Sequence, residues 1–273
     1  MVDNGIAIKS LFEGIEYRVA RSREELEKAY RLVYQEYRKQ GYLDENTSKL
    51  QASVYNALPQ TTTFVALVDD VVTATATIIP DSPLELPMDD LYHAELNELR
   101  GEGKKLCEVS MLASSSELFG EGVSLMLNAK KMFLIFFLFK YIFDYVRIEL
   151  GVDYICIAVN PKHANTYDSL FFKNLGGGMK YYSKVNGAPA IAKCLNVQTV
   201  DEQCISRGRQ SLYKMFLTGP ADRDKFSRKV ELKPEDLKYF FVEKIKVFRD
   251  ATPQQLSYLK SCYPSYDFSR IIS

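Results

Sequence analysis

A strand–helix–strand unit set among hairpins narrows the fold of this chain more than any other feature. GKKLCEVSMLAS (103–114) reads as a strand, SSSELFGEGVS (114–124) as a Gly-punctuated turn, and a long helix follows to about Leu150. DYICIAV (153–159) is then a short apolar strand. Two strands joined by a crossover of this length run parallel. By contrast, TTTFVALVDD (61–70) and VVTATATIIP (71–80) meet at Asp69-Asp70, which reads as an antiparallel hairpin. One crossover beside hairpins predicts an α/β fold with a mixed, largely antiparallel sheet and helices on both faces.

The remaining elements fill in that outline. IEYRV (15–19) carries strand signal, and Ser22 stands as an N-cap ahead of Glu24 and Glu25 for a helix to about Gln40, ended by Gly41. A weaker helical stretch covers about 46–57. The loop DSPLELP (81–87) leads into a polar helix to about Arg100, and 160–176 reads as a helix with Pro161 near its first turn. Strands are expected near 179–184 and 189–196. Beyond 200 only helical periodicity remains, near 201–217 and 234–260. A boundary near Val197 divides an α/β core, 14–197, from a helical C-terminal extension, 198–273.

Composition removes several function classes. Thirty-five basic and 35 acidic residues leave no excess positive charge to neutralise a phosphate backbone, so nucleic acid is not expected as a partner. The cysteines, Cys107, Cys156, Cys194, Cys204 and Cys262, are odd in number and none has C-x-x-C spacing, a pattern of reduced thiols in a cytoplasmic protein. With only His93 and His163, no histidine-rich metal site is expected. The opening residues lack the pattern of a signal peptide. The apolar run MFLIFFLF (132–139) is far shorter than the roughly 20 residues of a membrane span and is read as a buried helix.

Three stretches carry chemistry. In the strand, Glu108 and Ser110 alternate with Cys107, Val109 and Met111, so Glu108 and Ser110 are expected on one face and the other three on the opposite face. A carboxylate inside an apolar run is paired, hydrated or functional; a structural carboxylate bonded to a neighbouring helix and a general base are both open. The turn after it, Glu117-Leu118-Phe119-Gly120-Glu121-Gly122, opens a long helix. Its backbone N–H groups are suited to an anion, although a plain tight turn has the same spacing. The third stretch is Val159-Asn160-Pro161-Lys162-His163-Ala164-Asn165-Thr166-Tyr167. Finally, the helix with Phe133, Phe136, Phe137, Phe139 and Phe143 is apolar nearly all round, as befits either core or the wall of an apolar tunnel.

Taken in order, these stretches resemble a known family. Glu117–Gly122 is similar to the acyl-CoA loop of GNAT acyltransferases, Gln/Arg-x-x-Gly-x-Gly/Ala, except that Glu117 stands where Gln or Arg is usual. Glu108-x-Ser110 resembles the Glu-x-Ser-Arg signature of acyl-homoserine lactone synthases and the related N-acyl amino acid synthases, with Met111 in place of Arg. Val159–Tyr167 resembles the V-N-P-x-H-x-x-x-Y element of the N-acyl amino acid synthases. Tyr181-Tyr182, Val185–Ala190 and the Tyr-rich opening helix (Tyr30, Tyr34, Tyr37) fit the same family. The resemblance spans roughly 15–197.

It implies a GNAT-type fold and an enzyme that moves a long-chain fatty acyl group to the amine of an amino acid. The donor would be an acyl-phosphopantetheine thioester with no permanently bound cofactor. An acidic loop, Glu117 and Glu121, disfavours the pyrophosphate of CoA and favours acyl carrier protein as partner. By the resemblance, Glu108 takes the proton of the attacking ammonium beside Ser110, and Tyr167 protonates the leaving thiolate. Backbone N–H groups at Leu112 and Ala113 would hold the oxyanion. Gly120, Gly122, Asn160 and His163 would hold the pantetheine arm, and Phe133, Phe136 and Phe137 would line the acyl chain. A CoA-dependent N-acetyltransferase and a non-catalytic acyl- or carrier-binding module are the alternatives.

Overall fold

The computed structural model describes residues 14–116, 125–206 and 221–272. Seven strands form one open sheet in the order β1-β2-β3-β4-β5-β7-β6. They are β1 (Ile15–Val19), β2 (Thr62–Val68), β3 (Val71–Pro80), β4 (Leu106–Ser114), β5 (Tyr154–Val159), β6 (Lys173–Tyr182) and β7 (Ala188–Asn196). Only β4 and β5 pair in parallel. This is the mixed, largely antiparallel sheet expected. Val68 faces Val71 across the β2–β3 turn, and both Asp69 and Asp70 take left-handed φ, 48° and 61°. That is the two-residue hairpin geometry whose twist matches the strands.

Helices cover both faces. α1 (Arg23–Lys39) starts at Ser22, whose side chain accepts from Glu25 N–H. α2 is Asp89–Gly101. α3 (Leu125–Tyr145) continues through a π-helical turn, Val146–Leu150, to a left-handed Gly151 at φ 57°. α4 (Ala164–Ser169) follows a 3-10 turn at Pro161–His163. α5 is Val200–Ser206. α6 (Pro234–Lys238), a π-helical turn (Tyr239–Lys244), α7 (Val247–Asp250), α8 (Pro253–Cys262) and α9 (Phe268–Ile272) complete the chain. Among the described residues no helix is long and apolar enough to cross a membrane.

Each face has its own core. Val19, Phe64, Ala76, Ile78, Cys107, Val109, Ile155 and Ile157 meet Leu134, Leu138, Phe139 and Ile142 of α3. On the opposite face Val65, Leu67, Ile79, Met111 and Ala113 meet α1 and the C-terminal helices through Leu26, Tyr30, Val33, Leu237, Phe240, Phe241 and Phe248. The α2 side of that face closes over Leu106, Cys156 and Ala192 with Tyr92 and Leu96.

Four expectations are corrected. The stretch 46–57 is not a helix but a loop ending in a 3-10 turn, Val54–Ala57. Its polar side chains hydrogen-bond the backbone instead, as where Lys49 N–H donates to Asn46 Oδ1 at 2.7 Å. The helix read over 160–176 stops at Ser169, because Phe171 is left-handed (φ 67°) and β6 begins at Lys173. The helix read over 234–260 is broken at Lys246, also left-handed (φ 60°), resumes for one turn as α7, and starts again behind Thr252 as N-cap with Pro253 at its first position. The last concerns β4 and belongs to the site. Of the helix read over 201–217, residues 207–217 lie outside the described residues.

Candidate active site

The site is made by two irregularities in the central strands. β4 and β5 are paired only at Leu106–Tyr154, Cys107–Ile155 and Glu108–Cys156. Beyond Glu108 they are no longer paired. On its other edge β4 pairs with β3 up to Ser110–Thr77 and resumes at Ala113–Thr75, so Met111 and Leu112 oppose the single residue Ala76. This is a β-bulge, and Met111 takes φ 54° within it. The extra residue reverses the alternation. Met111 therefore sits on the α1 face, not with Cys107 and Val109 as strict alternation predicts.

A cavity of about 1020 Å³ occupies the opening and passes between the two faces. Glu108, Ser110, Leu112, Ala113, Asn160, His163 and Tyr167 all line it. The structure thus brings together seven of the residues singled out by sequence. Gly120 and Gly122, with Glu117 and Glu121, lie outside the described residues. Phe133, Phe136 and Phe137 are not among its lining residues: of the described side chains of α3, Met132 and Ile135 line the cavity. Phe136 lines a separate apolar cavity of about 50 Å³ between α3, Ile155 and the Leu170–Phe172 segment. Phe137 lies against Tyr17, ring centroids 6.0 Å apart. A helix apolar nearly all round gives no sequence signal for which face meets the cavity.

Glu108 is 3% exposed, on the α2 side. The Met88 N–H, one residue ahead of α2, donates to its Oε2 at 2.8 Å. Burial pushes its pKa up to about 8, and the Asp89 charge adds to the rise. The Met88 N–H, the Ser110 hydroxyl and the Lys184 ammonium act in the opposite sense. Tyrosines close the space around it. Tyr55 donates to Leu84 O at 3.3 Å and Tyr182 to Pro87 O at 2.8 Å. Tyr37, on α1, packs edge-on against Tyr42 at 5.7 Å. The hydroxyls of Tyr37, Tyr55 and Tyr182 are all shifted upward, by burial first and by the Glu108 charge among smaller causes. Tyr55 and Lys184 carried no sequence signal as site residues, and Tyr182 was legible only as part of the family resemblance, because the segments that bring them to Glu108 lie far from it in sequence.

Tyr167 enters from the α3 side. Its ring packs edge-on between Phe139 (5.9 Å) and Phe172 (5.8 Å), and burial raises its hydroxyl well above the ordinary tyrosine value, with the Tyr37 hydroxyl adding to it across the opening. Asn160 caps the adjoining 3-10 turn by accepting from Lys162 N–H at 3.1 Å. Lys162 Nζ reaches Oε1 of Gln40, the residue that follows α1, at 2.6 Å, joining the two sides of the cavity mouth.

The ligand-type group with metal-like proximity among the described residues is Glu85, Asp89 and His93. Both Asp89 oxygens already accept from the Arg100 guanidinium at 2.7 Å, so its charge is met internally. A metal is not needed to explain that cluster.

The model of the family described as N-acyl amino acid synthase FeeM matches residues 28–196. The solved structure of FeeM, an N-acyl amino acid synthase from uncultured soil microbes, is 34% identical, covers 69% of this chain and 95% of its own, and superposes with a TM-score of 0.57. The AHL synthase LasI is 13% identical over 67% of this chain and 89% of its own, with a TM-score of 0.46. The CoA-dependent acyl-homoserine lactone synthase MesI is 14% identical over 76% and 98%, with a TM-score of 0.48. Among curated proteins none matches by sequence. A family match over more than half of the chain, joined to a solved relative one-third identical, makes this protein an acyltransferase that belongs to the N-acyl amino acid synthase FeeM family.

Proposed function

We propose that the protein transfers a long-chain fatty acyl group from the phosphopantetheine thioester of acyl carrier protein to the amine of an amino acid. The observation that carries this reading is the cavity through the β4–β5 opening, with the Glu108 carboxyl on one side and the Tyr167 hydroxyl on the other. A buried carboxyl with a pKa of about 8 is matched to deprotonating an ammonium near neutral pH.

In this mechanism Glu108 accepts a proton from the acceptor ammonium, directly or through water. The free amine attacks the thioester carbonyl, forming the C–N bond and placing negative charge on the carbonyl oxygen. The N–H of Leu112 is the favoured donor to that oxygen, because Leu112 lies in the bulge, out of register with β3, and lines the cavity. Ala113 faces Thr75 in register and is second to it. Collapse breaks the C–S bond, and Tyr167 supplies the proton to the departing sulfur. The resulting tyrosinate takes up the second proton of the amine nitrogen, which leaves a neutral amide, while Glu108 returns its proton to solvent. Asn160 and His163, which line the α4 end of the cavity, would contact the pantetheine arm. The products are the N-acyl amino acid and free thiol, so atoms and charge balance without a redox partner.

The acyl chain would lie against Met132, Ile135 and Val159 rather than Phe133, Phe136 and Phe137. The carrier-protein donor rests on Glu117 and Glu121 at the expected phosphate turn. The test is an assay of purified protein with palmitoyl-carrier protein and with palmitoyl-CoA across the twenty amino acids, read by mass spectrometry. An N-acyl amino acid formed faster from the carrier protein supports the reading. Release of thiol with no amide, or preferential use of CoA, counts against it.

A further inference from the structure

One wall of the cavity comes from beyond the residues that match the family. Ile245, Val247, Asp250 and Ala251 line it, whereas the family match ends at 196. The segment carrying them is firmly held. Phe240 packs edge-on against Tyr30 of α1 at 5.4 Å, Phe241 stacks on Phe248 at 5.5 Å, and the Tyr263 hydroxyl donates to Ala57 O at 2.8 Å. Between these anchors the left-handed Lys246 turns the chain so that Ile245 and Val247 both meet the cavity.

The wall lies on the Glu108 side. Glu108 hangs from the α2 end of one sheet face, and the C-terminal helices cover that same face through Met111 and Ala113. Tyr167, Asn160 and α3 stand at the opposite side. If Glu108 takes the acceptor's proton, the rest of the acceptor extends along the Glu108 side, against residues 245–251.

Of the charged residues that line the cavity on this side, Glu36 and Lys184 are paired. Glu36 accepts from Ser116 at 3.0 Å and pairs with Lys39 at 3.2 Å, and Lys184 pairs with Asp90. Thr252 and Gln255, which also line the cavity, satisfy each other as a reciprocal helix cap. Asp250 is exposed at the rim and has no hydrogen-bond or ion-pair partner among the described residues. An unpaired carboxylate attracts a donor or cation and repels an anion.

We infer that residues 245–251 form the acceptor-selecting wall of this enzyme, and that Asp250 favours amino acids with a cationic or hydrogen-bond-donating side chain over aspartate and glutamate. The inference deepens the proposed function and rests on it. The test compares kcat/KM for lysine, arginine, leucine, aspartate and glutamate as acceptors, with palmitoyl-carrier protein as donor. Wild type is expected to prefer lysine and arginine over aspartate and glutamate. Asp250→Lys should lower that cationic-to-anionic ratio by about tenfold or more, since reversing a charge at the rim changes attraction into repulsion. Glu243→Lys makes the same charge change in an exposed residue of this segment off the cavity wall, and should keep the wild-type ratio. In a second arm, Ala251→Phe should lower use of leucine relative to glycine by narrowing the wall. Transfer by wild type with no change of ratio in Asp250→Lys, or an equal change in Glu243→Lys, overturns the acceptor wall and leaves the acyltransfer reading standing. Absence of transfer to every amino acid overturns both.

Discussion

The backbone N–H of Met88 holds the Glu108 carboxylate at 2.8 Å, so the only charged side chain in the middle of β4 is positioned by the residue that precedes α2. The contact fixes the carboxyl's direction while burial keeps it reluctant to ionise. A carboxyl held this way is oriented without being strongly acidified.

Replacing Glu108 with Gln keeps the shape and the Met88 contact but removes the proton acceptor. The expected result is a fall in kcat of about 10²–10⁴-fold with the fold retained, as for loss of a general base. Turnover measured beside circular dichroism checks it, and a folded variant with wild-type turnover removes Glu108 from the mechanism.

The pKa of about 8 also predicts a pH dependence. As base, Glu108 works ionised, so kcat/KM should rise with pH and level off above about 8, and the rise should be missing in Glu108→Gln. Stability has the opposite sign. The folded-state pKa is raised above the unfolded value near 4.5, so the native state holds its proton more tightly. That contribution is present in full below about pH 4.5 and is lost as pH climbs through 8. Glu108→Gln should therefore melt higher than wild type at pH 9 and close to it at pH 5. Melting curves at the two pH values decide the point.

For Tyr167, the proposed mechanism gives the hydroxyl and the ring separate duties. Tyr167→Phe keeps the edge-on contacts to Phe139 and Phe172 and should melt near the wild-type temperature. Turnover should fall by about 10²-fold or more with a poor thiol leaving group. A more acidic thiol donor, which leaves without help, should recover most of the loss; equal losses with both donors would place Tyr167 in packing alone.

Donor choice is tested at Glu117. Glu117→Arg replaces an acid with a cation in the turn that resembles the acyl-CoA loop, and should raise kcat/KM for palmitoyl-CoA relative to palmitoyl-carrier protein. Competition between the two donors in one reaction measures the ratio directly, and an unchanged ratio rejects the electrostatic argument.

Acyl length and stability should separate along α3. Ile135→Phe, on the cavity side, should shorten the preferred acyl chain, since each buried methylene contributes about 0.8 kcal/mol until the space is filled. Phe136→Ala, on the core side, should cost about 3–5 kcal/mol of stability and leave the length profile alone. Product profiles and melting curves for both variants provide the check.

The hairpin, the crossover and the caps of α1 were legible in the sequence because each depends on residues a few positions apart. Asp69-Asp70 joins two β-rich runs, and Ser22 precedes Glu25 at capping distance. The bulge at Met111 was not legible. A single inserted residue leaves the alternation of Cys107 and Val109 intact and shifts only the residues after it, and pairing with Ala76 cannot be seen from β4 alone. The wall at 245–251 was hidden for a related reason. Its contacts with α1 and the 51–58 segment join residues some two hundred positions apart, which no local period records. Likewise, nothing local tells Met132 and Ile135 from the phenylalanines between and beyond them.

The packing of Phe240 on Tyr30 has a consequence for how the molecule is made. During synthesis α1 leaves the ribosome long before the aromatic residues that complete its burial. Until Leu237, Phe240, Phe241 and Phe248 arrive, the apolar face of α1 stays uncovered and open to chaperones. This side of the cavity is therefore finished only near the end of translation, and a nascent chain stalled before residue 237 carries the Glu108 strand without its roof.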